Sequence, residues 1–225
     1  MDQILIGTIG YSINIVLSLL FAGMIIDKLY VSKKFSKEND FHFYNDLFSW
    51  EMFFIFIAIE NIIRVVTLFL SINPEILRLI LRIRILILFF PFWNKIIHLE
   101  KVMNIITYER HYLGGMIPLI IAIILLFSDL PDIQLIYVFL IACFFPFLIF
   151  FIFFKNNGTT KKKSLKVIIG AFLIVLGFIL QPGIVYSFDK IALIPYLFLI
   201  LISISSPISY IIGSLIIFLS FRREL

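Results

Sequence analysis

The stretch that decides the fold is residues 50–93: WEMFFIFIAIENIIRVVTLFL (50–70), SINP (71–74) and EILRLILRIRILILFFPFW (75–93). Two apolar runs, each long enough for a bilayer of roughly 30 Å hydrocarbon thickness, meet at a turn marked by Asn73 and Pro74. They read as a transmembrane helical hairpin. Inside it lie Glu60, Arg64, Arg78, Arg82 and Arg84, and ionisable groups at membrane depth are functional-site candidates by default.

Outward from the hairpin the same character holds along the chain. Of its 225 residues 62% are hydrophobic and 15% charged, which is too apolar for an ordinary soluble domain. The predicted fold class is therefore all-α, a polytopic membrane protein of seven transmembrane helices in one domain. The spans fall at about 4–27, 47–71, 75–97, 113–128, 133–154, 166–181 and 192–220. Residues 94–112 alternate apolar and charged side chains, as an amphipathic segment at the inner interface or a continuation of the third span does. Trp50 and Trp93 are expected at the inner boundary, where interfacial tryptophans gather.

Loop charge sets the orientation. Lysines and arginines concentrate in the first, third and fifth connections and after the last span, with Lys95 among them, while Lys190 stands alone on the other side. The positive-inside rule then puts the N-terminus outside and the C-terminus in the cytoplasm, in the cell membrane. The net charge of +5 meets anionic headgroups here and not nucleic acid. Membrane lipids are the expected partners, and the basic inner loops offer a surface for a cytoplasmic protein. The sequon Asn157-Gly158-Thr159 falls on the cytoplasmic side and is expected to stay unmodified.

Within the hairpin, helical rise and rotation sort the charges. Counting about 1.5 Å per residue from the turn, Arg64 and Arg82 lie some 13 Å deep, Arg84 about 16 Å and Glu60 about 20 Å. Glu60, Arg64, Thr67 and Ser71 share one face of the second span, and Glu75, Arg78 and Arg82 share one face of the third. Arg84 points away from Arg82 by some 160°, towards another helix. This pattern predicts that Arg82 faces Glu60 and Arg64. Two acids set against four arginines leave positive charge that needs a partner, and a buried unpaired charge should not persist. The expected ligand site is thus Arg64, Arg82, Glu60 and Arg84 around an outward-opening cleft, with a carboxylate, phosphate or lipid headgroup as ligand. The planar donor fork of arginine suits such groups.

Other polar features belong to packing. Gly7, Gly10, Asn14 and Ser18 share a face of the first span, and Ser203, Ser206, Tyr210 and Ser214 one of the last. Small and hydroxylated faces of this kind let membrane helices approach. Asn14, Ser206 and Tyr210 are therefore packing residues, and Pro207 marks a kink or hinge.

No catalytic motif occurs: there is no HExxH or paired-aspartate pattern, and the three histidines all fall in connections. Neither a cofactor nor a metal is implied. The leading expectation is a non-enzymatic sensor or receptor-like module. The alternatives are a small transporter or channel for an anionic or amphiphilic solute, and a structural membrane subunit.

Overall fold

The computed structural model describes residues 2–35, 41–69, 74–107, 116, 119–124, 161–180 and 196–221. They form five long helices: α1 (Asp2–Phe35), α2 (Phe41–Phe69), α3 (Pro74–Thr107), α4 (Lys161–Ile179) and α5 (Tyr196–Phe221). A short helical stretch covers 119–124, and there is no strand among the described residues. The expected fifth span, most of the fourth and the sequon lie outside them.

Two stretches, Leu5–Val31 and Phe48–Phe69, are long and apolar enough to cross a bilayer. Only 33% and 39% of their most apolar windows are buried, where the core helix of a soluble protein would be mostly covered. α1 turns Leu5, Ile9, Ile13, Val16, Leu20 and Met24 outwards. Meanwhile Glu60, Arg64 and Arg84 are buried. Apolar outside and ionised inside is the reverse of a water-soluble protein.

The helices outrun the apolar spans. α1 continues eight residues past Asp27 to Phe35, and α2 already begins at Phe41. The sequence expects a long connection there, but its four lysines and Glu38 are good helix formers and no proline or glycine intervenes. α3 runs unbroken from Pro74 to Thr107, so most of the segment at 94–112 prolongs the third span. At about 1.5 Å per residue its 34 residues reach roughly 51 Å, well past a hydrocarbon core.

Side-chain contacts fix the helix directions. Gly7 lies against Leu68, Tyr11 against Arg64 and Phe21 against Phe54, so α1 and α2 are antiparallel. Phe53 meets Phe92 and Phe56 meets Phe90, so α2 and α3 are antiparallel too. α4 opposes α5, with Gly170 beside Gly213 and Gly177 beside Ser206. α5 is parallel to α1, because Gly10 touches Pro207 and Phe21 stacks on Phe218 at 4.1 Å. Hence α1, α3 and α5 run one way and α2 and α4 the other.

Two kinds of packing hold these helices. On α1 the buried positions Gly7, Tyr11, Asn14, Ser18, Phe21 and Ile25 alternate steps of four and three, with Ala22 buried beside them. That is the seam of a left-handed helix pair. Its lower half belongs to an aromatic core in which Phe21, Phe53, Phe54, Phe92 and Phe218 meet edge to face or stacked. Between α4 and α5 the backbones themselves touch. A Cβ added at Gly170 would stand 2.7 Å from the Gly213 carbonyl oxygen, and one at Gly213 would stand 2.6 Å from that of Gly170.

Candidate functional site

The site forms where α1, α2, α3, α4 and α5 converge around Glu60. On α2 the residues Trp50, Phe53, Phe54, Ile57, Glu60, Asn61 and Arg64 are buried. The core-facing stripe of this helix is thus apolar for its first two turns and polar for its last. On α3 the buried stripe reads Ile96, Phe92, Leu88, Arg84 in steps of four. Arg84 is simply the next member of the row that packs on α2.

Glu60 receives both arginines on one oxygen. Arg84 donates from Nη2 at 2.7 Å and from Nε at 3.1 Å to Glu60 Oε1. Arg64, one turn along α2, donates from Nη2 to the same oxygen at 3.2 Å. Glu60 Oε2 is buried and accepts no hydrogen bond among the described residues.

The other end of Arg64 reaches α5. Its Nη1 donates to Ser206 Oγ at 3.3 Å. Ser206 in turn donates to the Gly177 carbonyl at 2.6 Å. A hydroxyl has one proton to give, so the 2.8 Å contact between Tyr11 and Ser206 has Tyr11 donating. Ser206 Oγ is thereby fully used. The Gly177 carbonyl lies in the last turn of α4, and Ser206 caps it. The negative end of the α4 dipole thus faces the two guanidiniums.

Aromatic faces complete the enclosure. The Arg64 guanidinium carbon sits 4.1 Å from the centre of the Tyr11 ring and 4.9 Å from that of Tyr210. That of Arg84 lies 6.0 Å from Phe178. Such contacts each contribute about 0.5–2 kcal/mol, more as water is excluded. The Tyr210 hydroxyl is within electrostatic reach of Glu60 and Arg64 but stops short of hydrogen-bond geometry.

The hairpin expectation needs correction on this point. Arg84, not Arg82, pairs with Glu60, and Arg84 does not turn to another helix in place of α2. Arg82 is half-buried, and its Nε has no hydrogen-bond partner among the described residues. The physical reason is that helical spacing says which residues share a face, not which face turns inwards; the core stripe of α3 makes that choice. The site is also closed in this structure: Glu60 is 0% and Arg64 3% exposed. The side chains of Glu75 and Arg78 lie outside the described ones.

The expected packing residues gather at the same place. Asn14, Ser206 and Tyr210 are fully buried, and Pro207 lies inside α5 with its ring against Gly10. Both amide atoms of Asn14 lack a partner among the described residues.

Sequence reasoning missed a further buried cation, away from Glu60. Lys95, expected among exposed inner-loop charges, is 1% exposed, donates to Ser49 Oγ at 3.0 Å and lies 4.2 Å from the Trp50 ring centre. Trp50 is buried within the bundle, and Trp93 is half-buried and stacks on Phe89. The signal was available: Trp50 and Ser49 oppose Lys95 once the hairpin register is followed past Phe53 and Phe92. Gly170, Gly177 and Gly213 were missed as well, although Gly170 and Gly177 stand two helical turns apart on one face.

In comparisons with protein-family models, curated proteins and solved structures, the chain matches none.

Proposed function

We propose that the chain is a multi-pass cell-membrane protein of seven helices that works as a non-enzymatic sensor or receptor-like module. Its ligand is an anionic or amphiphilic molecule, or a lipid headgroup, that engages Arg64 and Arg84 beside Glu60. The observation that carries this is the sharing of Glu60 Oε1 by two guanidiniums. Among the described residues both guanidiniums converge on one carboxylate oxygen, and an incoming carboxylate or phosphate would add a further negative acceptor beside it.

The geometry supplies a route for the signal. Arg64 connects Glu60 to Ser206, the residue that holds Tyr11 on α1 and caps α4. An anion that draws Arg64 away removes one of the hydrogen bonds at Ser206. Next to it Pro207 has no backbone N–H to give the Ser203 carbonyl, so α5 lacks one rung at that level. Movement of α5 there carries a change of occupancy towards the basic cytoplasmic face.

Helix directions support seven spans. α3 and α4 run oppositely, so an even number of crossings joins them, and the apolar stretches at 113–128 and 133–154 supply two. A second reading, transport of an anionic or amphiphilic solute, is favoured by one observation. Buried polar groups continue from Arg64 along α1 and α5 through Asn14, Ser18 and Ser214.

Native mass spectrometry of the purified protein tests the proposal. Arg64→Gln and Arg84→Gln are expected to lose anionic lipid or other anionic ligand that the unsubstituted protein retains, while Arg82→Gln keeps it. Unchanged retention in all three would count against an arginine-centred site. Solute flux in proteoliposomes separates transport from sensing.

A further inference from the structure

Below the arginine layer the bundle holds a second group of polar side chains that ion pairing does not use. Asn14 and Ser18 of α1, Asn61 of α2, and Tyr210 and Ser214 of α5 are each fully buried. Four of them have at least one side-chain polar atom without a partner among the described residues: both amide atoms of Asn14, Asn61 Oδ1, and the hydroxyls of Ser18 and Ser214, while the Tyr210 hydroxyl faces Glu60 and Arg64. Arg64 Nε is unpartnered as well. Buried polar groups almost always have partners, and several orphans at one place point to an occupant.

They do lie at one place. The antiparallel register of α1 on α2, fixed by Tyr11 with Arg64 and Phe21 with Phe54, brings Asn14 level with Asn61. The parallel register of α1 on α5, fixed by Tyr11 with Ser206 and Phe21 with Phe218, brings Asn14 level with Tyr210 and Ser18 level with Ser214. The group therefore spans about one helical turn, roughly 6 Å. Above it lie Arg64, Tyr11 and Ser206. Below it Phe21, Phe54 and Phe218 pack against one another and close the seam.

We propose that this layer is a second site, and that it binds a small monovalent anion of halide size together with water. The donors are the right kind: the Ser18 and Ser214 hydroxyls and the Asn14 amide lie within about one turn of one another, with the Arg64 guanidinium above them. Charge decides between an anion and a cation. The orphan oxygens of Asn14 and Asn61 and Glu60 Oε2 would suit a hard cation, yet Arg64 and Arg84 lie one to two turns away with one carboxylate between them. A cation there is repelled and an anion attracted. Size excludes an amphiphile, because the phenylalanine layer leaves no way for an acyl chain. This proposal rests on reading Arg64 as an anion contact, and it names what meets that residue from the inner side.

Thermal unfolding of the full chain in detergent tests it, in chloride, bromide or gluconate as sodium salts at equal ionic strength. Chloride and bromide should raise the midpoint above gluconate by about 3 °C or more. Ser18→Ala with Ser214→Ala should abolish that increment while leaving the gluconate midpoint in place. If the double variant does not fold, Ser214→Ala alone should weaken the halide dependence several-fold. Equal midpoints in all three salts would overturn the site, as would a midpoint that follows sodium when N-methylglucamine replaces it. Loss of the halide effect with retained arginine-dependent lipid binding would remove this proposal and leave the first one standing. An anomalous peak between Ser18 and Ser214 in a bromide-soaked crystal would locate the ion directly.

Discussion

The seam between α4 and α5 and the junction of α2 with α3 join antiparallel helices by opposite means. In the first, backbones touch through Gly170, Gly177 and Gly213, and there is no space for a methyl group at any of them. In the second, long side chains bridge the gap: Arg84 to Glu60, Phe53 to Phe92, Phe56 to Phe90. A backbone contact has one geometry and tolerates nothing added. A side-chain bridge can be rearranged, and its strength depends on which charges are present. The rigid joint is therefore suited to hold position and the bridged joint to respond to a ligand.

Glu60→Ala should break this contrast most severely, since it removes the carboxylate that the two buried guanidiniums share. A loss of about 3–5 kcal/mol is expected in reversible unfolding in detergent. Gly213→Leu comes next, at about 3 kcal/mol, because the added side chain meets the Gly170 carbonyl and the Ile174 side chain. Arg84→Gln should cost about 2 kcal/mol through its lost pair with Glu60, and Arg82→Gln no more than about 0.5 kcal/mol. Equal effects of these two arginine variants would refute the pairing. A change of opposite sign is expected at Gly23, which has nothing within 4 Å of an added Cβ. Gly23→Ala should stabilise α1 by up to about 1 kcal/mol through helix propensity, whereas Gly10→Ala, which drives a methyl group into Pro207, should destabilise.

Much of this architecture is written in the sequence as hydrophobic length. The hairpin, its turn near Asn73-Pro74 and the helices at either end of the chain follow from apolar runs and breakers. Glu60 and Arg64 were visible as an i,i+4 pair at depth. The choice of Arg84 over Arg82 was not, because it depends on which side of α3 meets α2, and that is set by Leu88, Phe92 and Ile96 further down the helix. Following those three core residues back by fours reaches Arg84. Lys95 was hidden for a different reason: a lysine beside a span normally snorkels to headgroups, and only the approach of Trp50 and Ser49 shows it turned inwards. The role of Ser206 as a cap for α4 depends on where α4 ends, which spacing within α5 cannot reveal.

The position of Ser206 in the chain bears on how the protein is made. Its partner Arg64 precedes it by 142 residues and Tyr11 by 195. At a synthesis rate of about 5–20 residues per second, Ser206 leaves the ribosome on the order of ten seconds after Arg64. During that interval Glu60 and Arg84 are already present, so the α2–α3 hairpin can enter the bilayer with its deepest charges paired. Arg64 has one hand on Glu60 and waits for the last helix. In the order of synthesis the contact of Arg64 with Ser206 is thus completed last, once α5 has been made.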